Sequence, residues 1–124
     1  MKQWILVTDN DGRARFRERD SRLDAGTPLV RLSELFSSGG YQFRESPLGY
    51  ESAFHCVEHP QWIVILKGVM EITLQDGSSR QFKAGEYFFC ADVLPAQTQF
   101  DPKLHGHRSR QLGAEVLQTL FVRG

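Results

Sequence analysis

A chain of 124 residues, 40% hydrophobic and 24% charged, has room for one globular domain whose core needs no disulfide support. Its fifteen basic residues balance fifteen acidic ones, which argues against a nucleic-acid or anionic-membrane partner. The opening stretch has only four consecutive apolar residues, Trp4 to Val7, where a membrane span takes about 20 and a signal peptide also needs more, so a cytoplasmic location is expected. Cys56 and Cys90 lack metal-site spacing and read as reduced thiols.

Trp4–Val7 reads as a short strand, ended by turn chemistry at Asp9–Gly12. That turn lacks the alternating carboxylates and closing glutamate of a calcium loop and is read as a plain turn. Arg13, Arg15 and Arg17 alternate as an exposed stripe at a rim or dimer surface. Beyond a polar stretch, Thr27–Leu32 is apolar again, and Ser33–Phe36 is expected to make one helical turn before Ser37–Gly40. Tyr41–Glu45 and Tyr50–Val57 alternate as strands about a turn at Ser46–Gly49. Gln42 and Arg44 share one face of the first, opposite Tyr41 and Phe43, and Arg44 is read as outward and solvated. Trp62–Leu66 is a continuous apolar run, as in a strand buried on both faces, with Trp62 placed outside the barrel or at a dimer interface. Met70–Leu74 and Arg80–Ala84 flank a hairpin signal at Asp76-Gly77, and Tyr87–Ala91 is another buried strand. Residues 92–104 form a long loop, and His107–Arg110 and Val116–Val122 close the chain as strands. About ten short strands without a helix-length periodic segment predict a single all-β domain, a sandwich or barrel.

The most informative line begins at Gly49, reaches His55 six residues later, and continues through Val57 and Gln61 to Gly68. It resembles the first motif of the cupins, written as glycine, five residues, His-x-His, three or four residues, glutamate, six residues and glycine. Gly49, His55 and Gly68 match, whereas Val57 stands at the second histidine and Gln61 at the glutamate. Gly85…Asp92…Gly106-His107 resembles the second motif, with a longer intervening loop and no recognisable Pro-x-Gly turn. The set formed by the N-terminal Asp-Gly turn, Phe43-Arg-Glu-Ser-Pro, Pro60-Gln61, Gly106-His107-Arg-Ser and Leu120-Phe-Val is similar to one small single-domain subgroup of the RmlC-like cupin superfamily with a degenerate metal motif. The resemblance spans nearly the whole chain. It implies an antiparallel double-stranded β-helix, or jelly-roll, barrel over residues 40–124, with the strands of residues 1–39 packing on it or at a homodimer interface. It implies no particular reaction.

Side chains two apart on an extended strand share a face, so His55, Val57, His59 and Gln61 are expected to point one way, with Pro60 interrupting the pattern near His59. His105 and His107 share a face by the same rule, and all four histidines fall in the two motif segments. A mononuclear metal site takes three or four donors within about 2.0–2.3 Å. His55, Gln61 and His107 are the candidate ligands for iron, manganese, nickel or zinc, with His59 or His105 as a substitute for the donor lost at Val57. Without metal, the same histidines become hydrogen-bonded pocket residues.

Metal-free proton transfer is a separate option, as in cupin-like sugar epimerases. It would use His55 or His107 as base and Asp92 as its orienter, although Asp92 reads first as a turn residue at a strand end. Ile63, Ile65 and Phe89 are expected to make the pocket apolar, with Gln61, His55 and His107 as its polar groups. The expected function is a small-molecule-binding cupin with an optional divalent metal. The alternatives are a metal-dependent oxygenase or isomerase acting on a small organic acid or aromatic compound, and a non-catalytic ligand-binding or scaffold cupin.

Overall fold

The computed structural model describes residues 1–124. Its strands are β1 (Lys2–Thr8), β2 (Ala14–Asp20), β3 (Ala25–Gly26), β4 (Arg31–Leu32), β5 (Tyr41–Ser46), β6 (Gln61–Lys67), β7 (Val69–Leu74), β8 (Ser79–Lys83), β9 (Tyr87–Ala91), β10 (His107–Leu112) and β11 (Leu117–Arg123). A six-stranded sheet in the order β2-β1-β9-β6-β11-β5 faces a three-stranded sheet in the order β10-β7-β8, and β3 and β4 form a separate small hairpin. Every pairing is antiparallel except that of β1 with β9. The fold is all-β, and no helix is long and apolar enough to cross a membrane.

Period-two alternation decides which residues meet between the sheets. Leu6, Ile63, Ile65, Phe88, Cys90 and Leu117 come inward from the large sheet, and Met70, Ile72, Leu74 and Phe82 from the small one. Phe82 stacks on Phe88 with ring centroids 4.5 Å apart, and Phe16 meets Phe88 edge-on at 6.0 Å. These rings fill the flank beneath β1, β2 and β8. Under β5, β6, β10 and β11 the inward residues include Thr119, Ser109 and His107, which are shorter or polar, and that flank stays open.

Two expected elements do not form. Ser33–Phe36 has no helical turn: Leu35 is fully exposed, so no burial offsets the cost of nucleating an isolated turn. Tyr50–Val57 is not a continuous strand but three isolated bridges, Glu51 to Arg110, His55 to His107 and Val57 to Val93. Here the chain crosses from β10 toward the end of β9, and the Ser52 hydroxyl accepts the Ser109 amide at 2.9 Å in the course of the crossing. The crossing segment is what carries His55 into the open flank.

Candidate functional site

The open flank holds a cavity of about 710 Å³ that His55, Val57, His59, Gln61 and His107 all line. Strict alternation is not kept, since Glu58 lines the cavity too and residues 58–59 form a bend before Pro60, and His55 and His59 lie exposed at the rim. His107 is buried, and its main chain clasps that of His55: the His55 amide donates to the His107 carbonyl at 2.9 Å, and the His107 amide returns a bond at 3.0 Å. This approach requires glycine beside it. Gly106 has φ +85°, and a Cβ there would lie 2.5 Å from the His55 carbonyl oxygen.

The same backbone reversal separates the two neighbouring histidines. His105 does not share a face with His107, because the residue between them is left-handed and not extended. Its Nδ1 accepts the Asp101 amide at 2.9 Å and its ring lies against Phe100, outside the cavity. Of the two proposed substitute ligands, only His59 reaches the cavity wall.

Asp92 is a buried partner of His107 and not an exposed turn residue. It is completely buried, with Oδ2 2.7 Å from His107 Nδ1 and Oδ1 accepting the Thr8 hydroxyl at 2.7 Å. The reason is register: Phe88, Cys90 and Asp92 alternate inward, so the carboxylate follows the inward face one step past the end of β9. Burial is the largest single influence and pushes the His107 imidazolium toward deprotonation, but the hydrogen bonds and charges of Asp92 and Cys90 together outweigh it and raise the pKa to about 9. His107 is therefore protonated at neutral pH, its Nδ1–H donating to Asp92.

His55 goes the other way. Desolvation at the cavity wall lowers its pKa most, the His107 charge lowers it further, and the Ala53 carbonyl opposes both. That carbonyl accepts from His55 Nδ1 at 2.9 Å, so in the neutral ring Nε2 is left as an acceptor. The two rings lie 4.7 Å apart at 52°. A cationic proton donor thus sits beside a neutral acceptor, both at the edge of one cavity.

The donors for a metal are few, even with His59 at the rim as a third imidazole. His55, His107 and the Gln61 carboxamide are two imidazoles and one neutral oxygen, Val57 contributes nothing, and no group of three or more His, Cys, Asp or Glu side chains has metal-holding geometry anywhere in the chain. Both cysteines are free; Cys56 is pushed up to about 11, chiefly by burial, and Cys90 lies 4.0 Å from His107 Nε2.

Of the expected apolar lining, Ile63 is in place. Ile65 is buried but does not line the cavity, and Phe89 faces the other side of the sheet, packed on Trp62 at 4.8 Å with Arg19 over both rings. In an apolar run such as Tyr87–Ala91 the inward face is set by pairing, here Trp62 with Phe89, and not by hydropathy. Phe121, Ile72, Met70 and Thr119 take part in the lining without having been anticipated. So does Arg44, which is solvent-exposed as expected but borders the cavity: β5 pairs it with the inward Thr119, and its guanidinium lies 3.8 Å over the Phe121 ring. Tyr50 also borders the cavity.

Two facing sheets with a cavity opening at one flank, lined from the crossing segment and the start of β10, make a jelly-roll type of β-barrel, the architecture that the cupin resemblance implies. No family model matches the chain, and no curated protein matches it. Among solved structures the chain is similar to the cupin domain of Cnp3 from Schizosaccharomyces pombe, at 17% identity and a TM-score of 0.48, with 98% of this chain and 85% of that one covered. A likeness that loose says nothing about the site, and the fold rests on the strand order and register.

The His107–Asp92 pair makes a signed prediction. A histidine whose folded pKa lies near 9, above its ordinary 6.5, contributes stability that is full below pH 6.5 and lost as pH rises through 9. The Cys56 thiol, raised from 9.0, adds its own loss only above that pH. Melting temperature should therefore fall between pH 6.5 and 9 in the wild type, and Asp92→Asn should flatten that slope while lowering stability by roughly 2 kcal/mol or more at pH 6. Parallel pH profiles for the two proteins would contradict the pairing.

Proposed function

We propose that the chain is a small-molecule-binding cupin that takes an organic ligand into its barrel cavity, between an apolar floor and the His55–His107 pair. The observation that supports this most is the cavity itself. It is about 710 Å³, with Ile63, Ile72 and Phe121 as apolar patches in a lining that is mostly polar and charged, a concave site suited to a polar organic ligand. In this reading His107 donates a hydrogen bond or proton from a position held by Asp92, His55 accepts one, and Gln61 orients the ligand. No metal is required.

Metal-stripped, untagged protein screened by thermal shift against small organic acids, aromatic compounds and sugars is expected to yield ligands whose effect is lost in His55→Ala. Absence of any ligand would contradict the reading. Deuterium from solvent incorporated at carbon in a bound compound would make the protein a metal-independent isomerase, and binding without turnover would leave a ligand-binding or scaffold module. Near-stoichiometric iron, manganese, nickel or zinc, lost in His55→Ala, would overturn the metal-free part and favour a metal-dependent oxygenase or isomerase.

We also propose that the protein works as a cytoplasmic homodimer. The two free thiols support a reducing compartment. The support for pairing is the segment from Leu29 to Phe43, where Leu29, Leu35, Phe36, Tyr41 and Phe43 are all exposed, and the free edge of β5. An apolar edge left bare is an aggregation hazard, and a second copy would cover it. Light scattering is expected to give twice the 14.2 kDa chain mass, falling to a single chain in a Leu35→Lys, Phe43→Lys variant. A monomeric wild type at micromolar concentration would refute this.

A further inference from the structure

At the mouth of the barrel cavity lies a smaller recess of about 200 Å³, whose lining shares Gln42, Arg44, Gln61, Phe121 and Arg123 with it and contains no Asp or Glu. Two guanidiniums and two carboxamides therefore meet around one small space. Neither arginine forms an ion pair, whereas Arg15, Arg17, Arg108 and Arg110 each hold a carboxylate. Arg44 is also held in place: its guanidinium carbon lies 3.8 Å from the Phe121 ring centroid, and its Nε donates to Gln42 Oε1 at 2.9 Å. The ring contact and that bond leave both Nη groups unpartnered, and a guanidinium's Nη edge is what binds a planar carboxylate through two parallel hydrogen bonds.

The carboxylates of the larger cavity do not neutralise this corner. Glu45 shares β5 with Arg44 but on the opposite face, where it accepts from Gln118 at 2.8 Å. Glu58 borders a separate cavity beside Phe54 and Val93 as well.

We propose that this recess is a carboxylate subsite and that the barrel ligand is a small organic acid. Its carboxylate sits on the Nη edge of Arg44 with Arg123 as a second charge, and its body runs along Phe121 and Ile63 toward the histidine pair. The inference rests on the barrel-ligand reading and adds the ligand's chemical class. Matched pairs of acid and primary amide (benzoate and benzamide, succinate and succinamide, phenylacetate and phenylacetamide) test it when titrated into untagged protein by calorimetry, with inorganic phosphate as a competitor. The acid of at least one pair should bind roughly ten- to a hundredfold more tightly than its amide. Arg44→Met should erase that gap without changing the melting temperature, and Arg44→Lys, which keeps the charge but not the fork, should fall between.

Acid and amide binding alike, or an acid preference that survives in Arg44→Met, would overturn the subsite and leave the barrel-ligand reading standing. Phosphate displacing the acids at lower concentration than the acids themselves bind would overturn the carboxylate assignment. Failure of every acid and every amide would overturn the subsite, and the barrel-ligand reading would fall only if the wider screen with sugars and other aromatic compounds also found nothing.

Discussion

The Asp92 carboxylate lies out of reach of water, and the open half of the molecule is arranged to compensate it. A buried carboxylate is costly unless it is paired and hydrogen-bonded. Asp92 receives the Thr8 hydroxyl from β1 and His107 Nδ1–H from β10, while its own carbonyl accepts the Val57 amide at 3.0 Å. Those bonds draw together the end of the large sheet, the start of the small sheet and the segment that crosses between them. His107 in turn exchanges two backbone bonds with His55, an approach that Gly106 alone permits. One buried charge thereby sets the position of both histidines.

The division of the interior follows from side-chain size. Stacked phenylalanines close one flank, and Thr119, Ser109 and His107 leave the other open. The resulting cavity carries charge in a graded way. His107 is a cation balanced by a carboxylate beneath it, His55 is neutral, and Arg44 and Arg123 at the mouth are cations with no balancing group. A protein that spends buried surface on orienting a histidine and leaves two arginines unpaired at the entrance is arranged to meet a polar or anionic group arriving from outside.

Much of this was legible in the sequence. The Gly49–His55–Gly68 spacing and the run of short alternating strands suffice for an all-β barrel, and His55, Val57, His59 and Gln61 do line one cavity, although Glu58 joins them and the segment bends where period two assumes it extended. The misreadings arise where local pattern is silent about pairing. Asp92 looks like a turn residue because it precedes a long loop, yet Phe88, Cys90 and Asp92 at spacing two carried the signal that it points inward. His105 fails the same rule because one left-handed glycine intervenes. The place of Arg44 beside the cavity and the face taken by Phe89 depended on strand neighbours far along the chain, Thr119 and Trp62, which no window of sequence around them reveals. Leu29, Leu35 and Phe36 stay exposed and Tyr41 packs only edge-on against Phe43, so the hydropathy of this stretch marks no buried element of the fold.

The arrangement of the open flank depends on Asp92 holding His107 as a buried imidazolium. Nitrogen NMR of selectively labelled histidine, followed from pH 5 to pH 10 in the wild type and in Asp92→Asn, measures this directly, about the ordinary histidine value. One ring, assigned by its loss in His107→Gln, should remain doubly protonated until near pH 9, and its titration should move below 6.5 in Asp92→Asn. A His107 ring that is already neutral at pH 7 in the wild type, or one whose titration is unmoved by Asp92→Asn, would contradict it.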